Sequence, residues 1–256
     1  MTSINKLYFS PVKSLSFTNS MRLFVKKDTG ILGDRVFAFT RKIDKKMSEL
    51  YECDPSIREL KYFLNLKNSP FLNKYNFALE NNELHVFLGE VLIDKIDVYS
   101  SKSKEKFCKN FASIEPGIKN FPYLINNSNH PFFDTMPSNS VSLINLNSIK
   151  DFELKSSLTI SYKRFRGNIY VSDLDPWDEF RWINKEILIN KCLFKVTNKI
   201  QRCSATNLVP KTDKKDINIP MKLKEIYNHA FMGVYLTPLS DGQIQLGDKI
   251  VLVSSN

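Results

Sequence analysis

The chain has 256 residues, enough for one large or two small domains with a substantial core. At 42% apolar and 25% charged, its composition excludes a disordered or membrane-spanning class, and no run of about 18 apolar residues occurs. The net charge of +10 raises nucleic acid as a partner, but the lysine-rich runs RKIDKK (41–46), SKSKEKFCK (101–109) and KTDKKD (211–216) are scattered and broken by acids. No nucleic-acid-binding motif accompanies them, so they read as solvated loops.

In chain order, INKLYF (4–9), MRLFVK (21–26), RVFAFT (35–40), YNFALE (75–80), ELHVFL (83–88) and VLIDKIDV (91–98) are short, often alternating, and rich in β-branched or aromatic residues. They are predicted strands. The turn residues agree: Gly30 and Gly33 fall in DTGILGD, and paired asparagines stand between two strands in LENNEL. The first hundred residues read as a small β domain. The lysine-rich stretch after it, followed by IEPGIKNFP, predicts a helix, then a loop and a seam near residue 100.

Beyond the seam, SVSLINLNSIKDFEL (140–154) places Leu143, Leu146 and Ile149 at helical spacing behind a serine cap, and DPWDEFRWINKEI opens like a short helix. Strands are predicted at 187–198, 233–239 and 249–253. The terminal SDGQIQLGDKIVLV has the pattern of a closing hairpin turning at Asp241-Gly242.

None of Cys53, Cys108, Cys192 and Cys203 stands in CxxC spacing, which removes zinc ribbons, thioredoxin-type motifs and ferredoxin-type clusters. The start MTSINKLYFSPVKS lacks the apolar centre of a signal peptide, so the expected address is the cytoplasm, with no membrane partner and no disulfide framework. His85, His130 and His229 are isolated and read as structural or surface residues. Taken alone, Cys203 reads as core filler, because free cysteine is among the most buried residue types. Arg202 beside it is the feature that points instead to a thiolate.

Five segments carry small polar, basic or thiol residues at strand ends: SPVKSLSF (10–17), GILGDRVFAF (30–39), SVSLINLN (140–147), RFRGNIYV (164–171) and IQRC (200–203). In that order and spacing they resemble the molybdenum cofactor sulfurase C-terminal (MOSC) family, in the two-domain form that includes the mitochondrial amidoxime reducing component and its bacterial relatives. PWDEFRW and GQIQLGDKIVLV also look like the family, so the resemblance runs from Leu7 to Val253.

The resemblance implies a mainly β (α+β) fold. An N-terminal β-barrel-like domain would span 1–100, and a MOSC β-barrel with a few helices 101–256. It implies Mo-molybdopterin as cofactor, with Cys203 as the metal ligand. Lys13, Ser14 and Arg35 would contact the pterin and its phosphate. Ser142, Arg166, Asn168 and Arg202 fall where further cofactor contacts lie, and Asp134 in FFDTMP matches an aspartate near the metal. The chemistry is consistent: a soft metal takes a thiolate, and a phosphate takes guanidinium, ammonium and hydroxyl donors.

The implied activity is reduction of small N-oxygenated substrates, such as hydroxylamines or amidoximes, in a cleft between the domains. No cysteine follows Cys203 to hold an iron–sulfur cluster, so electrons are expected from a separate redox protein. A cofactor carrier or sulfur-transfer module is the alternative. One departure stands out: Gly167 occupies a position where these relatives commonly have proline, which predicts a looser loop near Asn168.

Overall fold

The computed structural model describes residues 2–15, 17–133 and 139–253. Strands β1 (Ile4–Phe9), β2 (Thr18–Ser20), β3 (Arg22–Lys26), β4 (Gly30–Ile31) and β5 (Phe37–Phe39) come first. Helix α1 (Lys45–Cys53) and short 3-10 turns then lead to a meander of β6 (Tyr75–Glu80), β7 (Glu83–Leu88) and β8 (Val91–Asp97). Helix α2 (Ser101–Ile114) and β9 (Leu124–Asn126) follow, then β10 (Val141–Asn145), α3 (Leu146–Ser156), β11 (Ile169–Val171), β12 (Glu186–Ile189) and β13 (Cys192–Gln201). Helix α4 (Ile219–Tyr227), β14 (Phe231–Pro238), β15 (Gly242–Gln245) and β16 (Ile250–Leu252) complete a mainly β fold with a few helices.

Alternation explains the meander. Tyr75, Phe77, Leu84, Val86 and Ile96 point into one core, and Asn81 and Asn82 adopt the left-handed backbone that a tight hairpin turn needs. Helix α2 is capped by the Ser100 hydroxyl, which accepts from Ser103 N at 3.2 Å, and lays Phe107, Cys108 and Phe111 on the same core.

The main sheet has eight strands in the order β16-β12-β13-β14-β10-β11-β1-β2, and it curls. Three backbone bonds bring the start of β1 against the turn before β16: Ile4 N to Asp248 O at 3.0 Å, Gly247 N to Ile4 O at 2.9 Å, and Ile250 N to Thr2 O at 2.9 Å. Inside the curl lie Leu7, Val141, Leu143, Ile169, Phe194, Val234 and Cys192. The N-terminal strands belong to both halves of the chain. β1 and β2 join the main sheet, β3 pairs with both β15 and β4, and β5 pairs with β9, so strand pairing crosses residue 100.

Three sequence expectations are corrected. Residues 141–145 form a strand, not the start of a helix. β10 lies between β14 and a parallel β11 with every residue buried, and the helix begins only at Leu146, capped by Asn145. The run at 187–198 is two strands, β12 and β13, because Asn190 takes a left-handed backbone and turns the chain. The terminal segment is not a hairpin with itself: β15 pairs with β3 and β16 with β12, each edge finding a partner elsewhere.

Candidate functional site

The site begins at the end of β1, where the chain leaves the sheet. Ser10 Oγ donates to Val12 O at 2.7 Å, and Lys13 N donates to Phe37 O at 2.8 Å. The turn is thereby laced to the segment entering β5. Across from it, Arg35 N donates to Ser10 O at 2.6 Å and Phe37 N to Pro11 O at 2.9 Å. Ser14 and Arg35 both have positive φ, 66° and 56°, and so does Arg166 at 53°, after the 3-10 turn Tyr162–Phe165. Left-handed backbone costs a non-glycine residue on the order of 1–3 kcal/mol.

These three residues line one cleft of about 320 Å³ together with Ser142, Arg202 and Cys203. A recess of about 130 Å³ shares Ser14, Arg35, Ser142 and Arg166 with it and adds Lys13 and Asn168. Lys13, Ser14, Arg35, Ser142, Arg166, Asn168, Arg202 and Cys203 therefore come together from distant parts of the sequence. Asp134 lies outside the described residues; the residue before it, Phe133, lines the recess with its ring beneath the Arg35 guanidinium at 5.1 Å.

The recess is crowded with cations. Lys13 is 3% exposed, donates from Nζ to Phe132 O at 3.2 Å and stands over the Phe63 ring. Burial, followed by repulsion from Arg35, Arg166 and Arg58, pushes its amine down to about 7. Arg166 donates to Leu15 O and lies over the Phe17 ring at 4.6 Å. Burial and then repulsion from Arg35 push its guanidinium down to about 9, with Asp34 opposing.

Other side chains around the cleft serve the protein. Arg202 donates to Phe165 O at 2.8 Å and from Nε to Met232 O at 2.9 Å, so it ties β14 to the loop before Arg166. Its hydrogen bonds are spent on carbonyls, and it offers the cleft its charge. Asn168 is 1% exposed and saturated: its Oδ1 accepts from Ser142 N at 3.1 Å and Ser142 Oγ at 2.8 Å, and its Nδ2 donates to Tyr8 O at 3.1 Å. Gly167 does not loosen this loop. Its N–H donates to Tyr170 Oη at 2.9 Å, and a Cβ there would stand 2.6 Å from Ile144 Cδ1, so close packing requires glycine.

Cys203 follows β13 at the mouth of the cleft and is exposed, whereas Cys108 and Cys192 are buried. Its carbonyl accepts from Thr206 N at 3.0 Å and Thr206 Oγ1 at 2.8 Å, starting the turn Ser204–Asn207. Arg164, which the sequence does not single out, holds that turn. Its Nη1 donates to Asn207 O at 3.1 Å and Leu208 O at 3.2 Å, and Nη2 meets Asp216 Oδ2 at 2.6 Å. Asp34, also missed, accepts from Ser10 N and from the Arg35 guanidinium; its place directly before Arg35 in GDR was the available signal.

A curled β-sheet carries an exposed thiol and a crowd of cations around one cleft and its adjoining recess. Residues 133–251 match the MOSC domain. The MOSC domain points to a molybdenum-cofactor-binding family. Among solved structures the chain is similar to the YUAD protein from Bacillus subtilis, at 11% identity over 97% of this chain and 93% of that one, with a TM-score of 0.44. It is also similar to YiiM from Geobacillus stearothermophilus, at 18% identity over 44% of this chain and 54% of that one, with a TM-score of 0.33. A third similar structure is titled a hypothetical protein, at 10% identity over 100% and 69%, with a TM-score of 0.42. No curated protein matches the chain.

The residues present fit such a cofactor. Mutual repulsion among Lys13, Arg35 and Arg166 is relieved by a dianion, and an exposed sulfur opening onto the same cleft suits a soft metal.

Proposed function

We propose that the protein is a molybdenum-cofactor-dependent oxidoreductase that reduces small N-oxygenated compounds with electrons from a separate redox protein. The observation that carries this reading is the shared cleft: Cys203 at one end, and Lys13, Ser14, Arg35 and Arg166 at the other. Arg35 and Arg166 would take the pterin phosphate, Lys13 would supply charge behind them, and Cys203 Sγ would bind the metal. When bound, the cofactor supplies oxygen-atom transfer.

The chain's own work is placement. The Cys203 carbonyl and Arg164 fix the turn that presents the thiol, and Arg202 fixes the loop carrying Arg166. The overall reaction balances as R–NHOH + 2 e⁻ + 2 H⁺ → R–NH₂ + H₂O.

The test is turnover of a hydroxylamine by cofactor-loaded protein with an artificial electron donor. Amine formed in step with donor oxidised supports the reductase. Cofactor that binds and passes to an apo-enzyme without turnover indicates a carrier, and protein that never holds molybdenum after reconstitution ends both readings.

A further inference from the structure

Asp34 is a buried carboxylate, 1% exposed, set among the cations of the recess. Its bonds reach the neighbouring Arg35 and two distant segments, at Ser10 and Asn168. Oδ1 accepts from Ser10 N at 2.7 Å, which fixes the start of the turn carrying Lys13 and Ser14. Oδ2 accepts from Arg35 Nη1 and also from Asn168 Nδ2 at 3.3 Å.

The last contact has a further consequence. With Nδ2 committed to Asp34 and Tyr8 O, the Asn168 amide can only turn its oxygen toward Ser142, where it accepts from both N and Oγ. One carboxylate thus sets the end of β1, the left-handed Arg35 and, through Asn168, the wall formed by Ser142.

We propose that Asp34 is the positioning residue of the anion end of the cleft, assembling the β1 turn, Arg35 and the Asn168–Ser142 pair around an incoming phosphate rather than acting as a counter-ion that a phosphate replaces. The proposal rests on reading this end of the cleft as the phosphate site. The two roles of Asp34 give opposite signs. A counter-ion competes with the ligand, so removing its charge tightens anion binding. A positioning residue must keep its acceptors, and Asp34→Asn puts an NH₂ against donors already aimed at that oxygen. Losing one charge-assisted hydrogen bond of this kind corresponds to about a tenfold or larger loss of affinity.

The experiment is calorimetric titration of inorganic phosphate into the full chain made in a host without molybdopterin, comparing wild type with Asp34→Asn of verified fold. The expected result is phosphate affinity about tenfold weaker or worse in the variant. Equal or tighter binding overturns the proposal and leaves the phosphate reading standing. Wild-type protein that takes no phosphate overturns both. If Asp34→Asn does not fold, a crystal structure of wild type with phosphate decides. Asp34 still bonded to Ser10, Arg35 and Asn168 beside the anion supports positioning, and Asp34 swung away from Arg35 overturns it.

Discussion

Cys192 and Cys203 lie at opposite ends of one strand and in opposite environments. Cys192 opens β13 with its side chain inside the curled sheet, packed so closely that a Cβ on Gly242 would stand 2.4 Å from its sulfur. Burial raises its thiol above the ordinary range. Cys203 stands two residues past the strand's last residue, in a turn whose carbonyls are already claimed by Arg164 and Thr206, and its side chain opens onto the cleft. The same residue type is packing in one place and a ligand candidate in the other. The difference lies in what the neighbouring backbone has left unfilled.

The comparison breaks most sharply under substitution by serine. Cys203→Ser should abolish molybdenum retention and reductase activity while leaving the melting temperature near wild type, because a serine hydroxyl is a hard and poorly ionised ligand. Cys192→Ser should keep the metal and lose about 1–3 kcal/mol of stability, the cost of a buried hydroxyl lacking a partner. Metal analysis and thermal melts of the two variants check this. Wild-type molybdenum content in Cys203→Ser would reduce Cys203 to a structural cysteine.

How much of this was legible in the sequence depended on how local the signal was. β1, β6 and β7 were readable to the residue, because alternation and the Asn81-Asn82 turn both act over a few positions. β10 was not: a strand buried on both faces has no alternation to show, and its leucines happened to fall at helical spacing. The partners of β15 and β16 were equally hidden, since pairing with β3 and β12 is set by the curl of the whole sheet.

In the site, family resemblance pointed to Cys203 and the cations, which line one cleft and the recess adjoining it. Sequence adjacency showed only part of what Arg202 does. Its charge lies within electrostatic reach of Cys203, and its hydrogen bonds go to the carbonyls of Phe165 and Met232. Asp34 and Arg164 escaped notice because each does its work on backbone or on another side chain.

Arg164 and Arg166 sharpen the contrast between packing and ligand positions at a second pair. Arg166→Met should weaken phosphate or cofactor retention by roughly 10- to 100-fold, the loss of a charge-assisted donor. Its effect on stability should be small, because it relieves repulsion with Arg35 and Lys13. Arg164→Met should do the reverse. It strips partners from the Asn207 and Leu208 carbonyls and unpairs Asp216, costing about 3 kcal/mol, with a smaller loss of affinity. Binding isotherms and denaturant melts separate the two. Equal effects on both quantities in both variants would show that the arginines are interchangeable.

The smallest expected effect concerns pH, and it sets the empty site against the filled one. Lys13 has its amine pushed from 10.5 to about 7, so the folded chain sheds this proton near neutrality while the unfolded chain keeps it until about 10.5. Between those values the unfolded state binds more protons, so stability of the empty protein rises with pH above about 7; below 7 both states are protonated and the penalty is fully present. Anion binding runs the other way, since it favours the charged amine. Affinity should fall as pH rises past about 7, by at most about tenfold per unit, the limit for one linked proton. Sulfate is the suitable probe because its charge does not change in this range. The window should stay below about 9, where Arg166 begins to contribute. Melting temperatures without ligand and sulfate affinities over about pH 6–8 should therefore slope in opposite directions, and Lys13→Met should flatten both. Slopes that persist unchanged in Lys13→Met would place the titrating charge elsewhere and remove Lys13 from the anion end of the cleft.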